Sequence, residues 1–245
     1  MSLRVGIAGA NGRMGRALRE AVAQTEDVAL GAAFDVGDDI AAAVRQCDVV
    51  IDFTRPEGTL AHLAACLAAK KKLVIGTTGF APAQLEAIRA ASSEIAIVMA
   101  PNMSLGINVM RKLAQMAAGA LGPDYDIDVF EMHHRHKVDA PSGTALMLGE
   151  AAAKARGTSL ERDGVFGRHG ATGERKPGTI GFSVARGGEV VGDHTLYFAG
   201  PGERIEITHR SSSRENYAQG ALRAARFVQG KANGLYDMDA VLGLG

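Results

Sequence analysis

The sequence predicts an α/β protein in two parts: a Rossmann-like doubly wound parallel sheet domain and a second, α+β domain. Three observations carry that expectation. Short apolar strands alternate with helical periods through the first 100 or so residues. A glycine turn joins the first strand to the first helix. After Pro101-Asn102 the pattern changes to a long apolar helix and then to strands punctuated by turn signals.

Residues 3–8 form a short apolar run that enters Gly9-Ala10-Asn11-Gly12-Arg13-Met14-Gly15, and apolar residues recur at helical spacing over 13–24. Strands follow at 28–34, 49–53, 73–75 and 95–99, separated by helices at 40–45, 58–69 and 82–91. Such alternation implies parallel pairing with right-handed crossovers. The second part opens with a helix at 105–121, a strand at 127–132 and a helix at 142–155. Strands at 179–185, 189–198 and 204–210 then precede a closing helix at 214–229, expected to return to the first domain.

Composition narrows the function. The 245 residues are 47% hydrophobic and 22% charged, with mean hydropathy +0.02, which excludes disorder or coiled coil as the main architecture. Lys+Arg and Asp+Glu both number 27, so no whole-chain field recruits nucleic acid or an anionic membrane. The N-terminal run is broken by glycines, unlike a signal peptide, and no stretch approaches the ~20 apolar residues of a membrane helix. Cys47 and Cys66 have no CxxC spacing; they read as packing groups in a reducing cytoplasm.

The glycines between strand and helix leave backbone N–H groups and the positive helix end open to a pyrophosphate. Asp35, 20 residues past Gly15, suits an adenine ribose. A tight turn with no ligand is the plainer reading of the same glycines. Asp52-Phe53-Thr54, Gly76-Thr77-Thr78 and Ala100-Pro101-Asn102-Met103 each end a strand, where ligands of doubly wound sheets bind.

The densest polar constellation runs from Glu131 to Ala145. His133, His134, Arg135, His136 and Lys137 favour an anionic small molecule, and Pro141-Ser142-Gly143-Thr144 reads as a helix start able to hold a carboxylate. Metal ligation and a solvated charge run compete for these histidines. Their spacing is not i,i+4 and no thiolate completes a zinc site, so no metal is expected. No tyrosine is followed by lysine four residues later, as a short-chain dehydrogenase needs, and neither cysteine is placed as an aldehyde-dehydrogenase nucleophile.

Glu131-Met-His-His-Arg-His-Lys137-Val-Asp139-Ala-Pro-Ser-Gly-Thr-Ala145 resembles the signature of the 4-hydroxy-tetrahydrodipicolinate reductase (dihydrodipicolinate reductase) family. The blocks GANGRMG, IDFTRPEGT, VIGTTGF, APNMSLGIN, ERKPGTIGF and ERIEITHRSSSRENYAQGA extend the likeness along nearly the whole chain. The resemblance implies a homotetramer with a dinucleotide-binding domain at 1–104 and 214–245 and a substrate-binding and oligomerisation domain at 105–213. It implies reduction of a cyclic imine dicarboxylate in lysine and diaminopimelate synthesis by NADH or NADPH. His133 would then be the proton donor or acceptor, Lys137 a donor, and His134, Gly143 and Thr144 the carboxylate contacts. Residues Gly9, Ala10, Asn11, Gly12, Arg13, Met14, Asp35, Gly76, Thr77, Thr78, Ala100, Pro101, Asn102 and Met103 would hold the cofactor. Where the family often has a basic residue after the acid of the second strand, this chain has Val36, which argues for dual cofactor use. The connection from Asp35 to Cys47 is short for the family, a trimmed loop on the adenosine side. A non-catalytic NAD(P)H sensor is the alternative; it needs neither acid nor carboxylate cradle.

Overall fold

The computed structural model describes residues 2–244. They form β1 (Leu3–Ala8), α1 (Arg13–Ala23), β2 (Val28–Phe34), α2 (Ile40–Arg45), β3 (Val49–Asp52), α3 (Pro56–Ala69), β4 (Lys72–Ile75), α4 (Pro82–Ala91), β5 (Ala96–Met99) and α5 (Leu105–Leu121). The chain continues through β6 (Asp126–His133), α6 (Gly143–Ala155), α7 (Leu160–Asp163), β7 (Gly164–Val165), β8 (Ile180–Arg186), β9 (Gly192–Gly200), β10 (Glu203–Ser211), α8 (Glu215–Gln229), β11 (Gly234–Tyr236) and α9 (Met238–Leu242). Residues up to Leu105 and from Arg214 onward make one compact unit, and Gly106–Ser213 makes another.

The first unit is a parallel sheet in the order β11-β5-β4-β3-β1-β2. Its central strands are apolar on both sides because helices cover both faces. Ile7, Val49, Ile51, Val74 and Val98 pack against Leu18, Ala21 and Val22 of α1 and Ala221, Leu222 and Ala225 of α8. The alternate residues Val50, Leu73, Ile75 and Ile97 pack against Val44, Leu63, Cys66 and Ile88 of α2, α3 and α4. Small residues bring α8 close: a Cβ on Gly220 would lie 1.8 Å from the Met103 carbonyl oxygen. Strand order reverses at β1, with β2 on one side and β3 on the other, so the carboxyl ends of β1 and β3 frame the ligand crevice of this architecture.

The second unit is a mixed sheet, β10-β9-β6-β8-β7, with β8 parallel and β9 antiparallel to the central β6. Ile107, Met110 and Ala114 of α5 and Leu148 and Ala152 of α6 pack with Ile127, Val129, Phe182, Leu196 and Phe198 of the sheet. The period of two along β6 puts Ile127, Val129, Glu131 and His133 on this inner face. The last two extend it beyond the apolar core as a polar end.

Helix α3 starts at Pro56, two residues before the expected 58, because proline at the first helical position needs no N–H partner and already has the helical φ. The pattern also passed over α7, β7, β11 and α9, each of two to five residues and too short to show a period.

Candidate functional site

In the first unit, Gly9 has φ +69° and starts the turn; its N–H and that of Ala10 donate to the Phe34 carbonyl at 2.9 and 3.2 Å. A Cβ on Gly15 would sit 2.2 Å from the Gly9 carbonyl oxygen, so only glycine lets α1 approach the turn this closely. Gly12 is the N-cap of α1 and places no side chain over the first helical N–H groups. The Asp35 carboxylate accepts the backbone N–H groups of Asn11 and Val36, both at 3.0 Å, and these bonds hold it below the usual aspartate range. This cradle, with its open helix end and anchored acid, fits a dinucleotide. Arg13 is exposed, while the Arg16 guanidinium donates to the Asn11 carbonyl at 2.9 Å. Val36 is fully exposed beside Asp35.

The remaining cofactor candidates lie at strand ends of the same unit. Gly76 packs on the Phe53 ring, whose nearest atom would be 2.2 Å from a Cβ there, and Thr78 is exposed. Pro101 is exposed and the Asn102 side chain accepts the Ser104 N–H at 2.8 Å. Ala10 and Ala100 are buried, and Met14 packs on the core from outside. Burial limits what two of these candidates can offer. The Met103 side chain, 1% exposed, belongs to the apolar core and leaves only its backbone for a ligand. The Thr77 hydroxyl is buried and already bonded to Thr59 and Asp52.

In the second unit the register of β8, β6 and β9 brings four polar side chains together: Glu131 lies across from His194, and His133 across from Arg186. Glu131 is fully buried. It takes two bonds from Arg186, each 2.9 Å, one from the Ser142 N–H at 3.0 Å, and lies 2.5 Å from His133 Nδ1. Burial pushes its carboxyl up, but the Arg186 and His133 bonds prevail and it lies below the usual range. Arg186 also donates to the Asp139 carbonyl at 2.6 Å, which fastens the loop before α6.

His133 is thus oriented through Nδ1. A Cβ on Gly192 would come within 2.9 Å of Nε2, so glycine there keeps room beside that nitrogen. Burial holds the His133 pKa below the ordinary histidine value against the opposing pull of Glu131. Against it, edge to face at 5.1 Å, stands His194, whose pKa burial depresses to about 3.

Ser142 is 2% exposed; its hydroxyl caps the Ala145 N–H at 3.1 Å and lies 3.2 Å from His194 Nε2. Gly143, next along, is exposed, and a Cβ there would meet nothing within 4 Å. Thr144 is half-buried, the Lys137 ammonium pairs with Asp139 at 2.8 Å, and the His134 Nδ1 is screened from solvent without a protein partner. Sequence reading passed over Arg186 and His194 as site residues, since they sit on strands distant in the chain; only the sheet register reveals them.

Comparison with known proteins accords with both halves. The family model described as dihydrodipicolinate reductase, N-terminus, matches residues 3–103, and that described as dihydrodipicolinate reductase, C-terminus, matches 106–242. The chain is 56% identical to 4-hydroxy-tetrahydrodipicolinate reductase of Bordetella pertussis, over 98% of this chain and 97% of that one. It is 55% identical to the protein of that name from Burkholderia ambifaria, over 99% and 100%. A dipicolinate-bound dihydrodipicolinate reductase from Paenisporosarcina sp. TG-14 superposes with a TM-score of 0.81 at 25% identity, covering 98% of this chain and 99% of that one. With models matching both halves and relatives above half identity along its length, the chain belongs to the dihydrodipicolinate reductase family.

Proposed function

We propose that this protein reduces the cyclic imine derived from 4-hydroxy-tetrahydrodipicolinate to tetrahydrodipicolinate, with His133 as the proton donor and the start of α6 as the seat of a ring carboxylate. The chain is an oxidoreductase of lysine and diaminopimelate synthesis that uses NADH or NADPH. The observation that carries the roles is the Glu131-held imidazole of His133 on the same sheet end as Ser142, the cap of α6.

When bound, the dihydronicotinamide supplies hydride to the imine. The residues of the cradle hold the pyrophosphate at the N-terminus of α1 and a ribose hydroxyl at Asp35. Glu131 fixes the His133 ring and stabilises its charged form, so a proton added at Nε2 is presented to the substrate. In the free protein burial leaves His133 largely neutral near pH 7, and the two negative carboxylates of the substrate favour its protonation on binding. Lys137 and Gly143, with Thr144 and His134, receive those carboxylates, where opposite charge and the positive end of the α6 dipole act together.

A sensor would leave the buried Glu131–Arg186–His133 system without a task. The outer face of the second sheet carries exposed Phe130 beside Thr195 and Thr208, and with the family likeness this supports a homotetramer built through that unit. Both cysteines are free and buried, with thiol pKa values raised to about 11 and 12, which suits a reducing cytoplasm. No helix among the described residues is long and apolar enough to cross a membrane. The test is NADH oxidation with enzymatically generated 4-hydroxy-tetrahydrodipicolinate. Turnover supports the reading, and a folded protein that binds NADH without turnover contradicts it.

A further inference from the structure

At the carboxyl ends of β3 and β4 lies a buried polar cluster that the chemistry above does not use. Asp52 is fully buried, and its Oδ2 lies 2.7 Å from His62 Nδ1. Its Oδ1 accepts the Thr54 N–H at 2.8 Å, the Thr54 hydroxyl at 2.6 Å and the Thr77 hydroxyl at 3.3 Å. Thr59 donates to the Thr77 oxygen at 3.0 Å. The reach of this cluster is what gives it meaning. The Thr54 methyl fills the space where a Gly9 Cβ would stand, 2.8 Å away, at the end of β1. The His62 ring meets Phe34, at the end of β2, edge to face at 5.3 Å, and the Phe34 carbonyl in turn receives the N–H groups of Gly9 and Ala10. One buried acid therefore touches, directly or through one neighbour, the ends of β1, β2, β3 and β4.

An ionised carboxylate in such a place is costly to bury unless every lone pair is engaged. An apolar side chain would fill the same space more cheaply, but it would leave the Thr54 and Thr77 hydroxyls free to rotate. We propose that Asp52 and His62 are positioning residues for the dinucleotide: the pair pins Thr54 under Gly9 and Thr77 at the head of the 76–78 loop, so the cradle keeps one shape before the cofactor arrives. The proposal rests on the reading that this cradle binds NAD(P)H. It assigns no contact with the cofactor to either residue.

The test is calorimetric titration of NADH into the full-length protein and into His62→Leu, His62→Asn and Thr54→Val, with the KM values for NADH and for the imine measured alongside. Asparagine offers an N–H donor close to the place of Nδ1, so it separates the hydrogen bond from the bulk of the ring. His62→Leu should weaken NADH binding about tenfold or more, by loosening pre-set groups. The KM for the imine should stay within about twofold, and His62→Asn should recover most of the NADH affinity. Thr54→Val, which keeps shape and loses the hydroxyl, should weaken NADH binding in the same direction and decides the matter if His62→Leu does not fold. Wild-type protein that binds NADH while the folded variants bind it equally well overturns this proposal alone. So does equal damage to both KM values. Wild-type protein that binds no NADH overturns the cofactor reading and this one with it.

Discussion

Lys137 is paired with Asp139 at 2.8 Å and only partly exposed, so its ammonium is held in place. Lys137→Ala removes a cation that a dicarboxylate needs, and kcat and the KM for the imine should both worsen while the NADH Kd stays unchanged. Kinetics with a parallel NADH titration check this; loss confined to NADH affinity would assign Lys137 to cofactor binding instead. On the proposed reading, cofactor choice turns on Asp35 and Val36. The Asp35 carboxylate, lowered by two backbone N–H bonds, is charged at neutral pH and repels a 2′-phosphate, whereas exposed Val36 supplies no cation to offset it. Arg13 and Arg16 sit at the start of α1 as exposed, solvent-screened counter-charges, so the wild-type preference for NADH should stay below about tenfold. Val36→Arg should move the kcat/KM ratio toward NADPH, because a guanidinium fork suits phosphate. A ratio unmoved by that substitution would show that residue 36 does not line the 2′ position.

At the scale of elements, Glu131 joins three pieces: β6, which carries it, β8 through Arg186, and the start of α6 through Ser142. Glu131→Gln leaves the largely buried Arg186 without its counter-charge, and breaking such a pair typically costs ~3–5 kcal/mol. Urea unfolding should show a loss of that order together with lower kcat; unchanged stability would mean that Arg186 finds another partner. Much of this architecture was legible in the sequence. The apolar runs at 3–8 and 28–34 and the helical periods at 82–91 and 105–121 match the observed elements, because burial on both faces or on one stripe leaves a period that local reading detects. The Gly9, Gly12 and Gly15 turn and the His133 to Lys137 cluster were legible too, since each is contiguous. The burial of Ser142 and Met103 was not. A serine at a helix start can cap or bind, and only the fold shows that this one caps and packs against His194. Asp52–His62 was hidden because it joins a strand end to a helix ten residues on, with no motif of its own.

For the whole molecule, burial sets the acid limit of stability. Burial depresses His194 to about 3 and also lowers His133 and His209, whereas in the unfolded chain these imidazoles titrate near 6.5. Between those values the unfolded chain binds more protons, so stability is full above about pH 6.5 and drains as pH falls toward 3. Asp52 and Glu131, also lowered, act with the same sign, but only below their unfolded values of 3.8 and 4.5. The Tm should therefore fall between pH 7.5 and 5, before carboxylates matter, and His194→Phe should make that slope shallower. An equal slope in the variant would assign the loss elsewhere. The central claim is that proton delivery belongs to His133 in the second unit while dinucleotide binding belongs to the first. Steady-state turnover of His133→Gln on the enzymatically generated imine, with the NADH Kd measured on the same preparation, tests it most directly. The expected result is a kcat lowered by roughly 10²–10⁴ with the NADH Kd unchanged. Near-normal turnover in the folded variant, or loss of NADH binding in step with turnover, would contradict it.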